Sequence, residues 1–350
     1  MQKKIKSTQI IDSLAEMTRH QDREIIEKSL LKTIHELMPS LELRLFKVKE
    51  GHDTNNFSLH LLSYAVGDNI NVMDVKVDYK KMSPSLQSGI IDAIQQEDLQ
   101  QVSDNDKQFI IYPVSNTDNQ VFALLLQEYD TIHSLDAPRY TYGLLKIYSN
   151  YLDLLRITQT DKLTGVLNRE TLDTEITRAL IKNNVNQEAC ANKRKEDANS
   201  YWLGLLDIDH FKSINDQFGH LFGDEVLILI ARTMENLLRD HDSVFRFGGE
   251  EFVILLNACG MQEAHGAFER IRRYIEDYQF PKMDTLTVSI GVTKIDTQSS
   301  ASAIIGEADI ALYYAKEHGR NKTFIYEELL QQGLISQQAT GTVVDDIELF

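Results

Sequence analysis

Cysteine is almost absent from this chain: its 350 residues hold only Cys190 and Cys259, and the two have no metal-ligand spacing. A disulfide scaffold is therefore not expected. Basic charge is also scarce. With 36 Lys and Arg against 53 Asp and Glu, the net charge is −17 and no basic cluster stands out, which argues against nonspecific nucleic-acid binding. No run approaches the roughly 18 apolar residues that a membrane helix needs, and Met1 to Ile10 lacks an apolar stretch after its lysines. The expectation is a cytoplasmic protein with no membrane span. At 42% hydrophobic and 25% charged residues, the chain can bury two ordinary cores and is expected to form two domains.

The most specific segment is Arg246-Phe-Gly-Gly-Glu-Glu-Phe252, between strand-like segments Ser243 to Phe247 and Phe252 to Asn257. Gly248 and Gly249 permit a tight turn and leave room for a phosphate or sugar, and Glu250 and Glu251 exceed what a hairpin needs. Upstream, the apolar run Tyr201 to Leu206 delivers Asp207 to a strand end. If the two strands are neighbours, Asp207 and Glu250 meet. One or two carboxylates suit Mg²⁺ with a nucleotide better than Zn²⁺ or Ca²⁺. Each motif alone also reads as a capped strand or an ordinary hairpin.

Five blocks together resemble the GGDEF family of diguanylate cyclases, in the variant with Glu as first acid, from Asp161 to about Tyr326. They are Asp161-Lys-Leu-Thr-Gly-Val-Leu-Asn-Arg169, Asp207-Ile-Asp-His-Phe-Lys212 with Asn215-Asp216, Phe218-Gly-His-Leu-Phe-Gly-Asp-Glu225, the glycine turn, and Ala315-Lys-Glu-His-Gly-Arg-Asn321. Val166 stands where Leu is usual, and 183–200 is a polar insertion. The resemblance implies condensation of two GTP to cyclic di-GMP and two pyrophosphates.

By the same resemblance, Asp207, the Ile208 carbonyl and Glu250 would hold Mg²⁺, with Mn²⁺ a possible substitute, while Glu250 or Glu251 would assist deprotonation. Asn215 and Asp224 would read the guanine edge; an Asp can accept from N1–H and the 2-amino group together, which adenine does not offer. The plain alternative for Asp224 is an N-cap of a helix beginning near Glu225. His210, Phe211, Gly248 and Gly249 complete the expected substrate site. Lys212 is a phosphate candidate or a solvated loop lysine. Lys316 and Arg320, four apart near a helix end with Gly319 as its C′ residue, would reach the triphosphate or simply favour the helix dipole. Arg239 and Asp242, with Arg239 nine residues before Gly248, coincide with the family's product-inhibition site, and Arg270 with its second inhibitory arginine. Exposed ion pairs are the alternative there.

Periodicity gives a catalytic domain over 161–328 of α+β class, with a ferredoxin-like β-α-β-β-α-β core as in nucleotidyl cyclases: a strand from Tyr201, helix Phe222 to Arg239, the hairpin, helix Gln262 to Tyr278, strand Thr285 to Lys294, helix Ser302 to His318 and strand Lys322 to Tyr326. Such a plan leaves several chemistries open. Segment 1–136 has a helix, Arg23 to Met38, and strands Leu41 to Lys49, Phe57 to Tyr64, Phe109 to Val114 and Val121 to Glu128. This order resembles an α/β GAF-like sensor domain, with a PAS-like module open. His35, His52, His60 and His133 are scattered and read as surface residues rather than haem ligands. Residues 137–160 read as a helical linker whose Leu144, Tyr148, Tyr151 and Leu155 form an a/d-like seam for a parallel homodimer, or for packing on its own sensor domain. One catalytic domain holds one GTP, so product requires two facing domains. Residues 329–350 read as a flexible acidic tail. A catalytically silent cyclic di-GMP receptor is the non-enzyme alternative, and a cyclase of other nucleotides the third.

Overall fold

The structure, a computed structural model, describes residues 7–38, 40–50, 57–67, 69–130, 137–189, 199–239, 242–280, 282–283, 285–296 and 299–336. His52, His133, Cys190 and the latter part of the polar insertion lie outside them, as does most of the acidic tail. The chain divides into two compact units, Met1–Thr158 and Gln159–Phe350. No helix among the described residues is long and apolar enough to cross a membrane.

In the first unit, helices α1 (Ser7–Arg19) and α2 (Arg23–Leu37) precede strands β1 (Glu42–Glu50), β2 (Phe57–Val66) and β3 (Asn69–Val77). Helix α3 (Pro84–Gln96), strands β4 (Gln100–Asp104), β5 (Lys107–Ser115) and β6 (Val121–Tyr129), and helix α4 (Ala137–Gln159) follow. The sheet is antiparallel throughout, in the order β3-β2-β1-β6-β5-β4. Alternating side chains feed two cores. Leu43, Leu45, Tyr112 and Leu125 join Ile26, Leu30 and Ile34 of α2, whereas Phe46, Val48, Phe109 and Leu124 join Leu86 and Ile90 of α3, as the two-residue period of a strand dictates.

Helix α4 is not a free connector. Leu144, Tyr148 and Leu155 are buried in the first core and Tyr151 packs against it. Polar contacts fasten the same face: Tyr148 Oη donates to Glu27 Oε1 at 3.2 Å, Tyr151 Oη to the His20 carbonyl at 2.7 Å and Ser149 Oγ to the Ser115 carbonyl at 2.6 Å. The expected seam is thus taken up by the helix's own unit. A second stripe is left exposed at 140, 143, 147, 150, 154 and 157, in which Tyr140, Ile147, Leu154 and Ile157 are 49%, 37%, 55% and 66% exposed, interleaved with Gly143 and Asn150. Its three-four spacing is that of a coiled-coil seam.

In the second unit, β7 (Leu167–Asn168) and α5 (Arg169–Ala189) lead to β8 (Asn199–Ile208), α6 (Phe211–Phe218), α7 (His220–Leu237), β9 (Ser243–Gly248), β10 (Glu251–Cys259), α8 (Gly260–Asp277), β11 (Val288–Lys294), α9 (Ala301–Glu317), β12 (Thr323–Ile325) and α10 (Tyr326–Gln331). Sheet order is β12-β11-β8-β10-β9-β7. Its inner four strands, antiparallel as paired, carry the expected β-α-β-β-α-β core, with parallel β12 and β7 added at the edges. Both faces are covered, which explains the unbroken apolar run in β8: Trp202 and Leu206 face α7 and α8 residues such as Ile230 and Phe268, while Leu203 and Leu205 face Ile176 of α5 and Leu312 of α9. Gly291 lets α9 lie directly on β11. A Cβ there would sit 2.1 Å from the Ala308 carbonyl oxygen and 2.2 Å from the Leu312 nitrogen.

Three boundaries differ from the sequence reading. Helix α7 begins at His220 after Gly219 and ends at Leu237, so Asp224 is inside the helix and not its N-cap, and Arg239 follows the helix rather than ending it. Residues 211–218, which include the loop-lysine candidate Lys212, are helical. Residues 326–331 form α10 with Leu329 buried, so the tail does not begin at 329.

Candidate functional site

Strands β8 and β10 pair with Asp207 opposite Glu251, and the glycine turn joins β9 to β10 beside them. Three carboxylates, Asp207, Glu250 and Glu251, therefore collect at one end of the two central strands. Asp207 is 7% exposed. Burial pushes its carboxyl up; Lys316 pulls it back while the charges of Glu250 and Asp209 add to the rise. Burial and then the charge of Asp207 likewise push Glu251 up. Lys316 of α9 lies against this cluster, with Nζ 2.8 Å from Asp207 Oδ2.

These mutually repelling groups have a deficit of positive charge that a single ammonium only partly offsets, which fits a cation. Among the described residues no group of three or more His, Cys, Asp or Glu forms a metal cage, so any ion would draw remaining ligands from elsewhere, as Mg²⁺ does with phosphate and water. Asp207, Glu250 and the Ile208 carbonyl at the end of β8 are the groups that could hold it.

The turn is held from outside. Gly249 has φ +46°, and its carbonyl accepts from Arg246 Nε at 3.2 Å and Nη2 at 3.0 Å. Arg246 Nη1 also donates to Asp161 Oδ1 at 3.0 Å, which in turn accepts from Thr164 nitrogen and Oγ1 at 2.9 and 2.7 Å. Burial acts to raise the Asp161 carboxyl, but the Thr164 and Arg246 hydrogen bonds hold it below its ordinary value. Sequence reasoning gave Asp161 and Arg246 no role; both stand in the motif blocks, and only the fold makes them partners.

Next to the acids, α6 starts after His210, an exposed residue with φ +60°. Lys212 is exposed on its first turn. Phe211 is buried in the core, so its side chain is not available to a substrate and only its backbone is. Asn215 and Asp224 come from successive helices α6 and α7. The Asn215 Oδ1 atom is buried without a hydrogen-bond partner and lies 2.0 Å from where a Cβ at position 223 would stand. A side chain at position 223 would displace the Asn215 carboxamide from this place, and its unpartnered acceptor is open to an external donor.

Arg320 follows α9 and is exposed, while its backbone N–H closes the helix end on the Ala315 carbonyl at 3.0 Å. This is the expected Gly319 cap, and it places Arg320 off the helix rather than on one helical face with Lys316. Asp209, overlooked in the sequence, is 5% exposed and accepts from Thr287 Oγ1, Ser289 Oγ and the Asn321 nitrogen at 2.8, 2.7 and 3.0 Å.

Arg239 and Asp242 form one turn: the Arg239 nitrogen donates to Asp242 Oδ2 at 3.0 Å, and its Nη2 to Glu263 Oε1 at 3.3 Å. Both line a depression of about 270 Å³ with Gly165, Val166 and Glu235. Arg270 is not brought to it. That residue lines a separate depression of about 570 Å³ along α8 with His265, Arg273 and Tyr274.

A ferredoxin-like sheet with paired acids at the ends of its central strands and cations at a facing helix end is an arrangement able to receive a polyphosphate with a divalent cation. Residues 158–322 match the family "Diguanylate cyclase, GGDEF domain", which identifies this segment as a GGDEF domain. It is 38% identical over 178 residues to diguanylate cyclase DgcP of Pseudomonas aeruginosa, covering 50% of this chain and 25% of that protein. It is 35% identical over 184 residues to diguanylate cyclase DgcZ of Escherichia coli, covering 52% and 57% respectively. The chain thus spans between a quarter and somewhat over half of these relatives. Among solved structures, it is 32% identical to the active GGEEF domain of a diguanylate cyclase from Vibrio cholerae, covering 45% of this chain and 96% of that one with TM-score 0.40.

Proposed function

We propose that this protein condenses two GTP into cyclic di-GMP and two pyrophosphates. The observation that carries the reading is Asp207 and Glu251 paired across β8 and β10, with Glu250 beside them and Lys316 at 2.8 Å. Each 3′-oxygen bonds to the α-phosphorus of the other nucleotide, each α–β phosphoanhydride breaks, and two protons are released. Asp207, Glu250 and the Ile208 carbonyl hold a divalent cation, Mg²⁺ or Mn²⁺, which when bound supplies charge neutralisation at the phosphates. Glu250 or Glu251 accepts the 3′-hydroxyl proton; burial and the charge of Asp207, opposed by Lys316, hold the Glu251 carboxyl above its ordinary value, which suits a proton acceptor.

Lys212, Lys316 and Arg320 bind phosphate oxygens. The substrate also lies against His210, the Phe211 backbone, Gly248 and Gly249. Asn215 and Asp224 read guanine, a role supported by the unpartnered Asn215 oxygen. Arg239 and Asp242 bind product at the end of β9 opposite the glycine turn, joined by Arg270 from a second copy.

Product formation needs two copies, and the exposed stripe Tyr140, Ile147, Leu154 and Ile157 is the face of α4 that a parallel homodimer would use. Its Asn150 would pair with its own equivalent. The antiparallel sheet of the first unit, helix-covered on both faces, supports a sensor of GAF or PAS type.

The test is purified protein with Mg²⁺ and GTP, products separated by chromatography against an ATP control, in parent and Asp224→Ala forms. Cyclic di-GMP from GTP alone, with weakened GTP-over-ATP discrimination in the variant, is expected. Binding of cyclic di-GMP with no turnover would replace this reading with that of a silent receptor.

A further inference from the structure

Arg320 and Asn321 are consecutive non-glycine residues in the left-handed region, with φ of +58° and +50°. Side chains disfavour that region, and two in a row persist only where the surroundings over-determine them. Here they do: the Arg320 N–H donates to the Ala315 carbonyl at 3.0 Å, and the remaining contacts converge on Asn321. Its backbone N–H donates to the buried Asp209 carboxylate at 3.0 Å. Its Nδ2 donates to Glu276 Oε1 at 2.7 Å, and its Oδ1 accepts from Arg272 Nη1.

Arg272 is itself fixed. It is 8% exposed, donates bidentately to Glu269 from Nε and Nη2 at 2.9 and 2.7 Å, and reaches Glu276 from Nη1 at 2.8 Å. The result is a closed polar cluster joining α8, the loop after α9 and the end of β8, two residues beyond Asp207. Arg320, the chain neighbour of Asn321, is left exposed.

We infer that Asp209, Arg272 and Asn321 are positioning residues that clamp the loop so that the Arg320 side chain is presented, pre-ordered, to the phosphates of the nucleotide. This deepens the proposed function and rests on its reading of Arg320 as a phosphate contact. Pre-ordering matters because a flexible arginine loses rotamer and loop freedom on binding, whereas a clamped backbone has lost part of it beforehand. The cluster therefore acts on nucleotide affinity and not on the bond-making step.

The experiment measures binding of 3′-deoxy-GTP, which cannot be condensed, to the full chain by calorimetry in the presence of Mg²⁺. Four forms are compared: parent, Arg320→Ala, Asn321→Gly and the double variant. Glycine keeps the left-handed backbone at no steric cost and removes only the carboxamide, so melting temperature should hold within a few degrees. Asn321→Gly and Arg320→Ala should each weaken binding about tenfold, as loss of a charge-assisted contact does. The double variant should bind no more weakly than Arg320→Ala, since both remove the same contact. Unchanged affinity in either single variant overturns the inference, and so do additive losses. A chain that makes no cyclic di-GMP but shows this non-additive binding would end the proposed activity and leave the clamp standing.

Discussion

One guanidinium, that of Arg246, bridges the Asp161 carboxylate at 3.0 Å and the Gly249 carbonyl at 3.0 to 3.2 Å. The first motif of the domain and its acidic turn are therefore one hydrogen-bonded unit, although 85 residues separate the paired side chains. A lysine cannot supply this fork of donors. Arg246→Lys should lower turnover by roughly tenfold while the melting temperature falls only a few degrees, because the pair is partly exposed. Turnover equal to the parent in steady-state kinetics would remove the turn from Arg246's charge.

Asp207→Asn and Glu250→Gln should each reduce synthesis at least about a hundredfold. Stability should not follow activity. Since burial already disfavours the charged form of Asp207, neutralising it relieves a cost, and the melting temperature should hold or rise. A parallel loss of fold and function, read by calorimetry, would mean that the acids are structural.

Arg239→Ala should leave initial rates near the parent's while product continues to accumulate where the parent stalls. Its guanidinium touches Glu263 and lines a depression that shares no residue with the acidic edge, so its loss spares the proposed catalytic groups. Equal inhibition of both enzymes by added cyclic di-GMP would sink the regulatory role.

Ile147→Lys with Leu154→Lys should convert a dimer to a monomer in sedimentation and make specific activity depend steeply on protein concentration. Tyr148→Phe is the contrasting change. It removes the 3.2 Å bond to Glu27, should cost about 1 kcal/mol, and should leave the dimer intact.

The pH dependence of the second unit should carry the signature of Glu269, which the Arg272 hydrogen bonds hold at about 2, below the ordinary 4.5. A depressed carboxyl contributes stability that is present above about 4.5 and lost as pH falls toward about 2. Glu276 is lowered by the same arginine and should act in the same direction. The difference in melting temperature between parent and Glu269→Gln should therefore shrink over that interval.

The acidic edge was legible because adjacent carboxylates and a glycine pair have few reasons to stand in a hairpin. The core strands were legible because β8 is apolar on both faces. Helix α4 was not. It carries two apolar stripes, at 144, 148, 151 and 155 and at 140, 147, 154 and 157, and nothing in a period says which one its own sheet will claim. Asp209 and Arg272 escaped notice for a related reason: their partners, at Ser289 and Asn321, are 80 and 49 residues away. Asp224 was read beside a helix start because Gly219 caps without a side-chain bond, leaving no polar signal to mark the true beginning.

Position 291 has a consequence for how this sequence can drift. The α9 backbone rests on a strand whose residue there has only hydrogen as a side chain, and that helix carries Lys316 to Asp207. Any larger residue must lift the helix, so a lineage that replaced Gly291 would displace Lys316 from Asp207 and with it the proposed phosphate contact, with every motif intact. Such a chain would look competent in an inventory of motifs and be inert in the tube. The depth of a single atom at that crossing is as strict a requirement on function as the acids themselves.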